Sequence, residues 1–248
     1  MKVIFHEDFY RTYCSDPAAA PGRIEAIEKA IRNRVTFIDA IPAKPEDIEA
    51  VHTKFLIDTV KREGIYDIAA LSAGGAIQAA ETGLTEPCFA LIRPPGHHAS
   101  GGTAWGFCYF NNMAIAMEKL KRENRIQNAL ILDFDLHFGD GTVNILTGRG
   151  YVNIYNPSES TAKEYLKGVS NFLFSMKTNM IGVSAGFDNH VDDWGGLLST
   201  EDYRTMGSFV REAAKAHGAG YFAILEGGYN HGVLGRNVMA FIEGMEGK

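Results

Sequence analysis

The chain has 248 residues, 46% of them hydrophobic and 22% charged, with a formal net charge of −6. Such composition is ordinary for a globular protein with a sizeable core, and the acidic balance argues against a protein that grips nucleic-acid phosphates. Cys14, Cys88 and Cys108 are scattered and odd in number, so neither a disulfide framework nor a thiolate zinc site is suggested and the compartment reads as reducing. The apolar run in "MKVIFHEDFYR" is too short for a signal sequence, and no segment reaches the length of a membrane span. The expectation is one domain over residues 1–248, cytoplasmic, with no nucleic-acid or membrane partner.

In chain order, "PGRIEAIEKAIRN" spaces Ile24, Ile27 and Ile31 at helical intervals. "PEDIEAVHTKFLIDTVKREG" reads as one further helix, acidic early, basic late and stopped by Gly64. "IAALSAGGAIQAAETG" and "GFCYFNNMAIAMEKLKREN" read as small-residue-rich helices packed closely on a sheet, and "AKEYLKGVSNFLFSM" also looks helical. Between them lie four strand segments, "CFALIR", "NALILDFD", "MIGVSAG" and "YFAILEGG". This alternation predicts an α/β fold with a single, mainly parallel β-sheet flanked by helices.

Each strand segment runs into a polar cluster: "PPGHHAS", "LHFGDG", "FDNH" and "YN". Ligands of open parallel sheets bind beyond the carboxyl ends of the strands, so the four clusters should meet along one edge. In "LILDFDLHFGDGT", Asp133, Asp135 and His137 alternate directly after an apolar run. Carboxylates there are costly to desolvate unless a cation compensates. In an extended segment Asp135 and His137 would share a face, and Asp188 would complete a three-ligand site of the kind catalytic zinc uses. The bland alternative is a solvated acidic turn. Pro94, Pro95 and Gly96 force a non-helical approach to His97 and His98. A histidine serving as general base needs a partner on its other nitrogen, and Asp133 and Asp140 are available for that. Tyr229, after two glycines, could donate its phenolic hydrogen to an oxyanion; on its own it is more simply a half-buried loop tyrosine.

"RPPGHHAS", "GFCYFNNMAIA", "LDFDLHFGDGT", "VSAGFDNHVDD" and "LEGGYN" stand in the order and spacing of the histone deacetylase superfamily, which the chain resembles over nearly its whole length. The resemblance implies an arginase-like deacetylase fold. It implies one zinc ion per chain held by Asp135, His137 and Asp188, with His97 paired to Asp133 and His98 to Asp140. Tyr229 becomes the carbonyl-polarising donor, Gly106 and Phe107 line the acyl tunnel, Arg23 lies beneath it, and a potassium ion sits under the zinc against Asp133 and Asp135. The implied reaction is hydrolysis of an acyl amide. A metal can lower the pKa of water from about 15.7 to about 7, roughly 12 kcal/mol of activation, whereas losing one oxyanion donor costs about 2.7 to 4 kcal/mol.

The departures from the family pattern concern substrate. Phe138 replaces a second histidine that is not a ligand. "KREG" runs straight into "IYDIAAL", without the loop whose acid clamps substrate in many relatives, and the glycine-rich loop after "NIYNPSEST" is missing. Asn153 and Ile154 stand where the family supplies cation-binding backbone and a serine. A shallower or wider mouth follows, open to acetyl-lysine, an acetylpolyamine or another small acyl amide or ester. Two rival readings are a binuclear, arginase-like hydrolase using His190 with Asp192 or Asp193, and a non-catalytic acyl-lysine binding module. Cys108 reads as a small buried hydrophobe, His6, His52, His217 and His231 as structural or solvated, and Lys119, Lys121, Arg122 and Arg125 as a solvated helix face. Trp105 and Trp194 lie beside site segments and could rim the pocket, though core packing explains them equally well.

Overall fold

A computed structural model describes residues 1–248. Seven strands alternate with nine α-helices: β1 Lys2–Phe5, α1 Arg23–Ile31, β2 Thr36–Asp39, α2 Pro45–Glu49, α3 Lys54–Arg62, α4 Tyr66–Gly83, β3 Cys88–Ala90, α5 Asn112–Arg122, β4 Ala129–Asp133, α6 Asp140–Leu146, β5 Val152–Tyr155, α7 Ala162–Leu173, β6 Met180–Ala185, α8 Thr200–His217, β7 Gly220–Leu225 and α9 His231–Glu246. The sheet order is β2-β1-β3-β7-β6-β4-β5 and every neighbouring pair is parallel. Buried on both faces, β3, β4 and β6 carry unbroken apolar stretches rather than alternation. One continuous apolar core runs from Val3 to Met245.

The four strands expected from sequence, β3, β7, β6 and β4, are consecutive in the sheet. Their carboxyl ends therefore deliver four polar clusters side by side. Helix α4 is buried almost all round, as its alanine and glycine content requires, and lies on the sheet beside β3, β7 and β1.

Several local expectations are corrected. The helix expected over "PEDIEAVHTKFLIDTVKREG" is two: α2 stops at Glu49, and Thr53 caps a new helix, its hydroxyl accepting from Leu56 N. His52 sits in the break, 4% exposed, its Nε2 accepting from Asn111 N at 2.9 Å and its Nδ1 3.0 Å from Ser100 O. Helix α5 begins only at Asn112, so "GFCYF" is loop, because the Asn111 side chain takes the Ala114 N–H and starts the helix there. Lys119 and Arg122 are not simply solvated: both reach the buried carboxylate of Asp47 on α2, at 3.3 and 3.4 Å. No helix is long and apolar enough to cross a membrane.

Candidate active site

At the end of β4 the chain bends instead of staying extended, which corrects the geometry expected for Asp135 and His137. Asp135 Oδ1 accepts the His137 backbone N–H at 2.9 Å, an Asx-type turn that swings the imidazole back over the carboxylate. His137 Nδ1 then lies 3.2 Å from Asp135 Oδ1 and 3.1 Å from Asp188 Oδ2. Asp188 follows β6, and its Oδ1 accepts from Leu136 N at 3.1 Å. The Gly227 N–H, just past β7, donates to Asp135 Oδ2 at 2.8 Å; a Cβ there would fall 2.5 Å from that oxygen and 2.8 Å from Asp188 Oδ2, so only glycine fits.

These three side chains fit a divalent ion. A tetrahedral ion with bonds of about 2.0–2.1 Å separates its ligand atoms by about 3.3 Å, close to the spacings above. Asp188 Oδ2 is buried and has no hydrogen-bond partner, an orphan position that a cation would satisfy. Burial and the charge of Asp135 push the Asp188 carboxyl above the usual carboxylate range, as expected for two buried carboxylates crowded together.

The paired histidines arrive from the loop after β3. His97 Nδ1 lies 3.1 Å from Asp133 Oδ2 and His98 Nδ1 2.7 Å from Asp140 Oδ1. Both contacts require the proton on Nδ1, leaving each Nε2 for the interior of the site. A pocket of about 130 Å³ is lined by His97, His98, Phe107, His137, Trp194 and Tyr229 among others. A larger trough of about 460 Å³ lies beside the same 105–107 loop but touches none of the histidines, so the chemistry belongs to the smaller pocket. Trp105 and Trp194, 56% and 53% exposed, both rim it. Gly106 and Phe107 line it as well. Trp194 stacks on Tyr229 with ring centroids 4.0 Å apart, Phe107 meets that ring edge-on at 6.0 Å, and the Arg23 guanidinium lies 5.4 Å from its centroid. Arg23 is fully buried and donates to the carbonyls of Gly228 and Glu226 at 2.8 and 2.5 Å, pinning the turn beneath Tyr229.

Two residues at the site were not read from sequence in these roles. Glu226, at the end of β7, is fully buried and accepts from Gly96 N at 2.7 Å and Ser184 Oγ at 3.2 Å; burial pushes its carboxyl up to about 7. Its signal was present, an acid closing an apolar strand as Asp133 does. Asp193, considered as a second-metal ligand, instead accepts the backbone N–H groups of Tyr229 and Asn230 at 2.8 and 2.7 Å and of Trp194 at 2.8 Å. Asp192 lies 3.3 Å from Arg236, and His190 Nδ1 accepts from Asp192 N at 3.0 Å. The ligands of a binuclear site are thus turned to other work. Cys108 is buried, as expected.

This arrangement, a parallel sheet with a two-aspartate, one-histidine cluster and two His–Asp pairs at its carboxyl edge, defines an α/β hydrolytic site of the arginase-like deacetylase fold. A family model described as "Histone deacetylase domain" matches residues 18–156 and 146–245, and the chain belongs to that family. It is 32% identical to a protein of Methanothermobacter thermautotrophicus named "Probable deacetylase", over 92% of this chain and 85% of that one. It is 28% identical to the "Histone deacetylase-like amidohydrolase" of Pseudomonas aeruginosa, over 93% of this chain and 79% of that one. The crystal structure of the HDA15 HD domain superposes with a TM-score of 0.84 at 24% identity, covering 99% of this chain and 89% of that one, and shares the fold.

Proposed function

We propose that residues 1–248 form one catalytic unit, a zinc-dependent amidohydrolase that removes an acetyl or other short acyl group from an amine, with Asp135, His137 and Asp188 as the metal ligands. The observation that carries this reading is the position of His137 Nδ1, 3.2 Å from Asp135 Oδ1 and 3.1 Å from the partnerless Asp188 Oδ2. Zinc bound there supplies Lewis acidity toward water and the acyl oxygen. His98, whose Nδ1 is committed to Asp140, accepts the proton of the attacking water at Nε2 and returns one to the departing amine nitrogen. His97, held by Asp133 beside Asp135, contributes positive charge. The Tyr229 hydroxyl donates to the acyl oxygen as charge develops on it. The products are a carboxylate and a free amine. A potassium ion against Asp133 and Asp135 belongs to the same proposal. The small pocket favours a short acyl group, and the acidic chain suits an amine carrier such as acetyl-lysine or an acetylpolyamine.

Metal content by elemental analysis and acetate release from a panel of acetylated amines test the proposal together. One zinc per chain is expected, and Asp188→Ala should lose both the metal and turnover. Tyr229→Phe should keep the metal and lower kcat by about 10²- to 10³-fold. Two divalent ions per chain, or a zinc-loaded protein inert on every acetylated amine, would overturn it.

A further inference from the structure

The His98–Asp140 pair poses a structural problem. Its imidazole is buried, yet the carboxylate that orients it is 42% exposed, and a contact to a carboxylate in water holds little by itself. Water competes for both oxygens of Asp140, so His98 could rotate unless something else fixes its partner. The neighbouring chain supplies that something. Trp105 Nε1–H donates to Asp140 Oδ2 at 2.9 Å while His98 Nδ1 occupies Oδ1, so each carboxylate oxygen has an N–H donor. The Trp105 rings also pack against the His98 ring, centroids 3.9 Å apart and tilted by 32°, and the His97 ring packs against it at 4.0 Å, tilted by 42°. Packed between neighbouring rings and held at Nδ1, His98 keeps its Nε2 edge for the reaction pocket that it lines.

The backbone is built to hold the indole in that place. Gly106 and Phe107, immediately after Trp105, both have positive φ, 59° and 67°. A Cβ on Gly106 would lie 2.4 Å from His98 Cδ2, so the chain passes His98 at a distance only glycine allows. Phe107 tolerates a conformation that costs a non-glycine residue about 1–3 kcal/mol. Cys108 N donates to Trp105 O at 3.0 Å and closes the turn. Trp105 is 56% exposed, yet its N–H is committed to the Asp140 carboxylate rather than to water.

We propose that Trp105 is a positioning residue: it fixes Asp140 and covers His98, so that the His98–Asp140 pair is oriented although its carboxylate stands in solvent. The proposal rests on the role given to His98 above. A double-mutant cycle tests it, with kcat and KM measured on an acetylated amine for the wild type, Trp105→Phe, Asp140→Asn and the double variant. Trp105→Phe keeps an aromatic ring near His98 but loses the N–H together with part of the indole; kcat should fall about 10-fold with KM nearly unchanged. The double variant should be little slower than Asp140→Asn alone, because the remaining phenyl ring still lies near His98 and the lost N–H acts through Asp140. Losses that multiply, or a Trp105→Phe enzyme with undiminished kcat, would overturn the proposal. A readout independent of turnover is the His98 Nδ1–H proton resonance of the zinc-loaded protein. It should be shifted downfield and protected from exchange in the wild type, and broadened by exchange in Trp105→Phe; equal protection in both would overturn the proposal. If the wild type hydrolyses no acylated amine, the functional reading falls, and this resonance still decides what Trp105 does.

Discussion

His97–Asp133 and His98–Asp140 start from adjacent histidines, are identical in side-chain chemistry and opposite in electrostatic character. Asp133 is fully buried, whereas the Asp140 side chain is 42% exposed. Burial works against the charged form of His97, but the carboxylates of Asp135 and Asp133 outweigh it and hold the imidazole well above the usual histidine range. Burial lowers His98 to about 4, helped by the charge on His97, because solvated Asp140 pulls back too weakly. A carboxylate at low dielectric can keep a histidine charged; the same group in water orients a histidine and leaves it neutral. One pair thus suits electrostatic support and the other proton transfer.

The sharpest way to break this comparison is at the proton acceptor. His98→Gln should lower kcat by about 10²- to 10⁴-fold while zinc content stays at the wild-type level; a variant within a few-fold of wild type would remove His98 from that role. Stability separates the two carboxylates next. Asp133→Ala leaves a buried cation without its partner and should cost about 3–5 kcal/mol in urea denaturation, whereas Asp140→Ala should cost about 1 kcal/mol or less. Equal losses would mean that burial does not distinguish the pairs.

A third histidine serves as the control. His52 is buried between two backbone groups, accepts at Nε2, and burial lowers it to about 4. Its folded-state value lies below the unfolded value near 6.5, so the folded chain binds fewer protons. Stability from this site is therefore complete above pH 6.5 and is lost as pH falls toward 4, by about 1.36 kcal/mol per unit at most. His52→Gln should flatten that part of the stability–pH curve by up to about 3 kcal/mol; an unchanged slope would show that His52 does not titrate with unfolding.

The central strands and the site they carry were legible for the same reason. β3, β4, β6 and β7 are apolar runs stopped by polar residues, and that change of character marks both a buried strand and its ligand-facing end. β1, β2 and β5 were not identified as strands; β2 and β5 are mostly half-exposed or exposed and lack the continuous apolar run that marks the central strands, and β1 is a short run at the start of the chain. The break at His52 was hidden because its cause is a pair of hydrogen bonds to residues about fifty positions away. The role of Asp193 was hidden in the same way: an acid near a metal ligand in sequence allows the rival binuclear reading, and only the approach of the Tyr229 loop reveals a backbone clamp.

By itself the sequence determined the α/β class, the location of the site at the strand ends and the chemical types gathered there, because these follow from local patterns of burial and charge. Tertiary structure alone decided which histidine meets a buried carboxylate and which a solvated one, and that Trp105 closes over the second pair. Dielectric environment and hydrogen-bond geometry are properties of the surrounding packing, assembled from segments that have no common neighbourhood until the sheet is formed.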